Sequence, residues 1–367
     1  MNFKQRFLEG QAGKALGLTT GLTELDRAID GIQRKSVYVI GAEAKAGKTT
    51  LVDFSFVLKP YEEMMLKNKS NVHWIYFSLE IPRIEKEFKY AAHFMFEDYK
   101  IYRFTHKGKE YIMSPRYLSG RLRDENNELV PVLQDHQEKL FQVYQNRIIP
   151  LFGEYDDRGN KVKEGVIDFV EENSNPTGVR NYLYHYAQEN GNLIYEDYQT
   201  KENDQIITKK RISGYQPNNS DKYTIVILDH IRRLQRERGF SMKENIDKMS
   251  SYEVEMRNLF GFTFVNVVHL NRNIASVDRI KFNSEELYPT AEDVKDSSNL
   301  GEDCNYLLTL FNPADEKYNL KKHFGLDISR YNNYRSLHLV FSRDTECPKH
   351  LQMQMEGNIN YFRSIRN

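Results

Sequence analysis

The strongest chemical feature of the sequence is a short loop that ends in lysine and threonine. Residues 42–49 read AEAKAGKT and match the phosphate-binding pattern GxxxxGK(S/T), with alanine in place of the first glycine. An apolar run precedes the loop and a helical pattern follows it, which is the strand–loop–helix context that the pattern requires. Backbone N–H groups of such a loop face phosphates. The sequence therefore predicts a nucleotide site, and we call residues 42–49 the phosphate loop.

Each side chain at the end of this loop has a predicted task. Lys48 is expected to reach the β- and γ-phosphates, and the Thr49 hydroxyl is expected to bind Mg²⁺. The alternative is a chance Gly-Lys-Thr at a helix start. The predicted nucleotide contacts are Ala42, Glu43, Ala44, Lys45, Ala46, Gly47, Lys48, Thr49 and Thr50.

Three further polar residues follow apolar runs, where ligands bind in open α/β sheets. Asp229 comes after residues 224–228 and is expected to hold the metal, usually through a water; the alternative is an aspartate that caps a turn. Glu80 comes after residues 75–79 and could polarise a water molecule, or it could be a solvated helix start. His269 could sense the γ-phosphate, or it could simply end a strand.

Two arginine-bearing loops leave the same predicted edge of the sheet. Residues 230–240 contain four arginines and one glutamate, and the loop after Asn271 is also basic. Such loops could contact a nucleic-acid backbone, although a solvated charge run is equally compatible with the composition. The candidate nucleic-acid contacts are Arg232, Arg233, Arg236, Arg272, Arg279 and Lys281.

Alternating strands and helices predict an α/β fold with a mostly parallel sheet. The predicted strands are 36–41, 73–78, 223–228, 262–268, 306–311 and 337–341. The predicted helices are 22–32, 49–58, 83–97, 132–147, 177–190 and 246–259. Hairpins are predicted at 99–113, 151–168 and 193–212, and we interpret them as insertions into one domain.

Composition limits the class of protein. The 367 residues contain 52 basic and 52 acidic side chains, and this balance excludes a uniformly basic nucleic-acid coat and an acidic disordered chain. Two cysteines, Cys304 and Cys347, are too few for a disulfide framework. A reducing, cytoplasmic setting and no membrane span are therefore expected.

Several motifs, in order along the chain, resemble the ATPase domain of DnaB-type replicative DNA helicases, which have a RecA-like core. The similar segments are TGLTELD (20–26), the phosphate loop, FSLEIP (77–82), VILD (226–229), VHLNR (268–272) and DVKDS (293–297) with the strand after it. The resemblance extends from about residue 18 to residue 362. It implies a RecA-like P-loop NTPase domain at 18–367, preceded by an arm at 1–17 and carrying insertions at about 98–131 and 151–220.

The resemblance also implies a function. It implies an ATP-dependent helicase motor that uses ATP and Mg²⁺, with Glu80 as the catalytic glutamate. The protein would act as a homo-oligomeric ring, a hexamer, around single-stranded DNA, with a primase or helicase loader as partner. Arg343 is the candidate arginine that reaches a neighbouring subunit's ATP, and His269 replaces the family's γ-phosphate-sensing glutamine. A core with only a short arm before it and with insertions suggests a phage protein that acts in the host cytoplasm.

Two other functions remain compatible with the sequence. One is a recombinase or recombination mediator with the same core, which would form filaments and pair homologous strands. The other is a nucleotide-binding assembly or regulatory protein with little hydrolysis. ATPase and strand-unwinding measurements distinguish the three.

Overall fold

The computed structural model describes residues 3–11, 16–67, 71–172, 174–202, 205–294 and 298–365. A nine-stranded sheet forms the centre of the fold. Its strands are β1 Val37–Ala42, β2 Asn71–Ser78, β3 Ile167–Val170, β4 Lys222–Asp229, β5 Thr263–His269, β6 Tyr306–Phe311, β7 Tyr334–Ser342, β8 Lys349–Glu356 and β9 Tyr361–Ser364.

The strand order explains which residues meet at one edge of the sheet. The order is β9-β8-β7-β6-β1-β5-β4-β2-β3. Strands β6, β1, β5, β4, β2 and β3 are parallel, while β7, β8 and β9 extend the sheet in antiparallel pairing. The carboxyl ends of the parallel strands therefore lie along one edge, and the predicted α/β fold is confirmed.

Helices cover both faces of the sheet. The α-helices are α1 Phe3–Gln11, α2 Thr23–Ile29, α3 Lys48–Val52, α4 Lys59–Lys67, α5 Arg83–Tyr99, α6 Pro115–Leu118, α7 Gln134–Val143, α8 Ile149–Phe152, α9 Pro176–Glu189, α10 Met242–Phe260, α11 Val277–Asn283 and α12 Ser298–Asp303. Successive residues of β1 point to opposite faces. Tyr38 and Ile40 pack in a core with α2, α3 and α5, whereas Val37 and Val39 pack in a core with α9, α10 and α12.

The helix after the phosphate loop is longer than the sequence predicts. A π-helical segment, Asp53–Leu58, connects α3 to α4, so the helical chain runs from Lys48 to Lys67 instead of ending at Leu58. All six residues of the π segment are buried. Another π segment, Tyr144–Ile148, joins α7 to α8.

The segment between β2 and β4 contains the predicted hairpins in modified form. The two-stranded hairpins are 103–112, 154–163, 191–217 and, near the C-terminus, 322–327. The predicted hairpin 151–168 is too long, because Ile167 begins β3, which pairs in parallel with β2. Residues 203 and 204, at the centre of the predicted 193–212 hairpin, lie outside the described residues.

The N-terminal arm contains α1, and the core begins at Leu18, which bridges to Ile32. Residues 1, 2 and 12–15 of the arm lie outside the described residues. Every helix in the described ranges is too short or too polar to span a bilayer. Both cysteines are free, with Cys304 buried and Cys347 exposed.

Candidate nucleotide and nucleic-acid site

The phosphate loop links the end of β1 to the start of α3 by two left-handed residues. Lys45 has φ +64° and Gly47 has φ +106°. The backbone angle of Gly47 favours glycine, and an added Cβ would lie 2.3 Å from Met355 Sδ, which would have to shift. The loop carbonyl of Ala46 accepts a hydrogen bond of 2.7 Å from Arg335 Nε, which fixes the loop from the side of β7.

Lys48 is the first residue of α3, and its ammonium lies beside His269. Lys48 Nζ is 3.3 Å from His269 Nε2, since residues 42 and 269 are paired at the ends of β1 and β5. An ammonium only donates, so His269 accepts through Nε2 and its proton is on Nδ1. Burial, followed by the charges of Lys48 and His230, lowers the pKa of His269 to about 4. His269 is therefore neutral at pH 7 and does not repel Lys48.

Thr49 and Asp229 form an oxygen pair suited to Mg²⁺. Thr49 Oγ1 donates to Asp229 Oδ1 over 3.2 Å, and the hydroxyl lone pairs remain available to a metal. Tyr76 donates to the other oxygen, Asp229 Oδ2, over 3.1 Å. Mg²⁺ prefers hard oxygen ligands and is held by one or two protein oxygens besides phosphate and water. The donor set fits that ion.

A buried polar network supports Asp229 from behind. Lys86 is fully buried and its Nζ lies 2.7 and 2.9 Å from the two oxygens of Asp53 and 3.7 Å from Asp229. Tyr90 donates to Asp53 Oδ1 over 3.0 Å, and the Tyr76 hydroxyl lies between Asp53 and Asp229, 3.0 and 3.1 Å from their nearest oxygens. Because Asp53 is in the π segment and Lys86 is in α5, the network connects the helix after the phosphate loop to Asp229, the carboxylate predicted to hold the metal.

Glu80 is held by two side chains of the segment after β4. One carboxylate oxygen, Oε1, lies 3.1 Å from His230 Nε2 and 3.1 Å from Arg233 Nε. Burial raises the pKa of Glu80, but the Arg233 hydrogen bond and the charges of His230 and Lys48 outweigh it, so the pKa lies below its ordinary value. The hydrogen bond to Glu80 comes from Arg233, whereas His230 lies within ion-pair distance of the same oxygen, and the buried Nδ1 of His230 has no partner among the described residues.

The predicted basic loops differ in how their side chains are used. Arg233 is 62% exposed although it contacts Glu80, and Arg236 and Lys281 are exposed. Arg279, in contrast, bonds Asp293 Oδ1 at 2.5 Å and the Tyr288 carbonyl at 3.1 Å, so its guanidinium serves the loop itself. The side chain of Arg272 lies outside the described part of the chain, as do residues 295–297 of the DVKDS segment.

A cavity of about 780 Å³ connects the phosphate loop with these basic loops. Glu43, in the loop, bonds Lys317 Nζ and the Tyr318 hydroxyl, each at 2.7 Å, and so closes one side of it. The residues that line the cavity are Glu43, Ala44, Arg232, His269, Leu270, Asn271, Ala275 and Lys317. One space thus reaches both the nucleotide loop and the base of the arginine-bearing loops.

Arg343 lies at the opposite edge of the sheet from the phosphate loop. It follows β7, and its guanidinium donates to the carbonyls of Cys304 over 3.0 Å and Glu302 over 2.7 Å. Both carbonyls come just before β6, whose carboxyl end is at the nucleotide edge. Arg343 therefore cannot reach the nucleotide of its own subunit, and any role in hydrolysis would be in trans.

Sequence reasoning missed four residues that shape the site. His230 lies beside Glu80, Arg335 contacts the phosphate loop, and Lys86 lies 3.7 Å from Asp229 and pairs with Asp53. His230 follows Asp229 immediately, so its position after the strand was a usable signal. The other three lie in helices or at a strand start, where nothing local distinguishes them from surface polar residues.

One further cluster could be taken for a metal site. His93, Glu62 and Glu97 bring their ligand atoms within 4.8 Å of one another. Lys59 Nζ, however, lies 2.7 Å from Glu62 and 2.6 Å from Glu97, between the two carboxylates. An ammonium already supplies the positive charge there, so we interpret the cluster as an ion-pair network.

Comparison with known proteins agrees with this geometry. Residues 17–94 match the family model of the DnaB-like helicase C-terminal domain. No curated protein matches the sequence. The fold is similar to an ATPase domain of known structure, with 15% identity and a TM-score of 0.63, over 99% of this chain and 96% of that one. It is also similar to a DnaB-like replicative helicase whose structure was described with its primase interactions, with 15% identity and a TM-score of 0.61, over 98% of this chain and 64% of that one.

The family match covers β1, the phosphate loop, β2, Glu80 and most of α5, and so includes Lys48, Thr49 and Glu80 of the candidate site; Asp229 and His269 lie beyond it. The structural similarity extends over nearly the whole chain. The resemblance inferred from the motifs is therefore confirmed: residues 17–94 carry a DnaB-like helicase C-terminal domain match, and the chain has the RecA-like fold of DnaB-like helicase ATPase domains.

Proposed function

We propose that this protein is an ATP-dependent DNA helicase motor that moves along single-stranded DNA as a ring. The observation that carries the proposal is the convergence of Lys48, Thr49, Asp229 and Glu80 at one edge of the sheet, in a chain whose residues 17–94 match DnaB-like helicases. The arginine-bearing loops leave the same edge, which is the arrangement needed for hydrolysis to act on bound DNA.

The chain supplies each group that hydrolysis requires. The N–H groups of the phosphate loop and Lys48 bind the phosphates, and Thr49 and Asp229 would hold Mg²⁺, which neutralises charge on the β- and γ-phosphates when bound. Glu80 accepts a proton from the attacking water. The water oxygen bonds to the γ-phosphorus, the bond from that phosphorus to the β–γ bridging oxygen breaks, and ADP and phosphate leave.

The assembly is part of the same proposal. ATP would bind between subunits of a hexamer, with Arg343 of one subunit acting at the site of the next. Arg232, Arg233, Arg236, Arg272 and Lys281 would line the DNA channel, and Arg279 would order the loop that carries Lys281. A primase or a helicase loader would be the partner, because one structurally similar helicase was described with primase. We place this activity in the cytoplasm, with phage origin as a further hypothesis.

ATPase activity measured with and without single-stranded DNA tests the proposal. We expect DNA to stimulate hydrolysis by the wild-type protein. Lys48→Ala should abolish it, and Glu80→Gln should keep ATP binding while losing at least about 100-fold in turnover, since general-base catalysis contributes 10²–10⁴. Undiminished turnover in either variant would contradict the assigned role.

A forked duplex distinguishes the rival functions. A helicase should unwind the duplex with ATP and show a ring mass with nucleotide. A recombinase should instead form filaments and pair homologous strands, and a regulatory protein should bind ATP with little turnover. Neutralising Arg232 and Arg236 should weaken single-strand binding and flatten its salt dependence.

A further inference from the structure

The contact between Glu80 and Arg233 joins a residue proposed to act in ATP hydrolysis to a residue proposed to bind DNA. Glu80 is the proposed general base, and Arg233 is on the segment that is proposed to contact DNA. Arg233 Nε lies 3.1 Å from Glu80 Oε1. The Arg233 side chain is 62% exposed, whereas Glu80 is 30% exposed. The guanidinium can therefore be reached from solvent while it is bound to the base.

This contact holds Glu80 in a poorly reactive state. Arg233 donates a hydrogen bond to Oε1, and His230 Nε2 lies 3.1 Å from the same oxygen. A carboxylate oxygen that accepts a hydrogen bond from a guanidinium has less capacity to accept a proton from water. The hydrogen bond from Arg233 is also the largest of the interactions that bring the pKa of Glu80 below its ordinary value, against burial.

A DNA phosphate would compete for the same guanidinium. Arginine binds phosphate and carboxylate with the same fork of N–H donors. Glu80 keeps its second contact when Arg233 leaves, because His230 is only 6% exposed and is fixed by its position directly after β4. When Arg233 leaves Glu80 for a DNA phosphate, Glu80 would thus lose one hydrogen-bond donor while its carboxylate keeps its position beside His230.

We infer that Arg233 is a positioning residue that restrains Glu80 until a phosphate of single-stranded DNA takes its place. The inference rests on the proposed function, since it needs Glu80 to be the base. It assigns to this chain a direct link between DNA binding and hydrolysis, made by one side chain.

The strength of the restraint sets the size of the expected effect. An ion pair with one partner this exposed corresponds to about a two- to fivefold change in an equilibrium. Arg233→Gln should therefore raise kcat for ATP without DNA by about two- to fivefold and leave the KM for ATP unchanged. The ratio of DNA-stimulated to basal kcat should shrink by the same factor. Arg233→Lys, which restores the charge, should return the basal rate toward that of the wild type.

The chain offers a matched control in Arg330. Its Nε also lies 3.1 Å from a carboxylate, that of Asp327, and the side chain is 79% exposed on a surface turn after the hairpin 322–327. Arg330→Gln should leave basal kcat and DNA stimulation at wild-type values. Raising the salt concentration provides a second readout, because salt weakens exposed ion pairs. Basal kcat should rise with salt in the wild type and stay flat in Arg233→Gln.

The outcomes separate this inference from the proposed function. Full-length protein is assayed with Mg·ATP and an oligothymidine strand. If the wild type is stimulated by DNA but Arg233→Gln has a basal kcat equal to or below the wild-type value, the inference is overturned and the motor function stands. If the wild type hydrolyses no more ATP than Lys48→Ala, with or without DNA, the proposed function fails instead.

Discussion

The buried pair formed by Lys86 and Asp53 allows a quantitative test of how the site is supported. Both side chains are fully buried, and the ammonium lies 2.7 Å from the nearer carboxylate oxygen. Lys86→Met removes the cation and leaves the Asp53 carboxylate unpaired in the core. Breaking a buried pair in this way costs about 3–5 kcal/mol. Because typical domains are stable by only about 5–15 kcal/mol, the loss should be large and measurable.

The double variant isolates the electrostatic part of this cost. In Lys86→Met/Asp53→Asn the charge at position 53 is removed together with the cation, and Asp229, 3.7 Å from Lys86 in the native protein, keeps its hydrogen bond from Thr49. The asparagine oxygen still accepts from Tyr90, which donates to Asp53 over 3.0 Å in the native protein. We expect a loss of about 1–3 kcal/mol, the cost of the polar groups that remain imperfectly satisfied. The double variant should thus be more stable than Lys86→Met alone, even though it carries one more substitution.

Equilibrium denaturation in urea measures both values. Lys139→Met is the control, because Lys139 forms an exposed pair with Asp135 at 2.5 Å, one helical turn away in α7. Its loss should cost about 0.3–0.5 kcal/mol. Two results would refute the view that Lys86 and Asp53 form a buried, charge-balanced pair that supports the site. One is a loss of stability below about 1 kcal/mol for Lys86→Met. The other is a loss in the double variant as large as the sum of the losses in the two single variants.

Two other substitutions test the core and the loop. Burial raises the pKa of Glu253 to about 8. Between pH 5 and 8 the folded protein therefore keeps a proton that the unfolded chain has released. The free energy of unfolding of the wild type should fall by up to about 1.4 kcal/mol per pH unit over this range. Glu253→Gln should remove this slope, and parallel stability curves for variant and wild type would contradict it. Gly47→Ala should weaken ATP binding, since φ is +106°, which strains alanine, and Met355 Sδ, 2.3 Å from the added Cβ, would have to move. Nucleotide titration by fluorescence checks this, and wild-type affinity would contradict it.

The part of the site that follows parallel strands could be predicted from sequence. Asp229 and His269 end β4 and β5, and Glu80 follows β2 by two residues. Each apolar run is long enough to be recognised as a buried strand, and the carboxyl ends of parallel strands necessarily share an edge. The phosphate loop then defines which edge it is. Local sequence and one topological rule were therefore enough to assemble these residues.

The supporting residues could not be predicted, because their partners are remote in sequence. Arg335 reaches Ala46 across 289 positions, and Lys86 reaches Asp53 across 33. The helical pattern predicts a solvent-exposed side chain for Asp53, although that side chain is fully buried in the structure. Strand β3 was missed for a related reason, since four residues between charged segments give too short a pattern. Nothing in such stretches shows which tertiary contact will override the local preference.

The histidine at position 269 keeps a hydrogen-bonding capacity that a glutamine would also have. In the resembling family a glutamine stands here, and its amide oxygen can accept a hydrogen bond. Neutral His269 also accepts, through Nε2, from Lys48 at 3.3 Å. Burial keeps the imidazole neutral, with a pKa of about 4. In the proposed function, Lys48 would turn donors toward the phosphate oxygens of ATP and weaken its contact with His269. The end of β5, and the basic loop that follows it, would then respond to the nucleotide through an acceptor on His269, as they would through the amide oxygen of a glutamine.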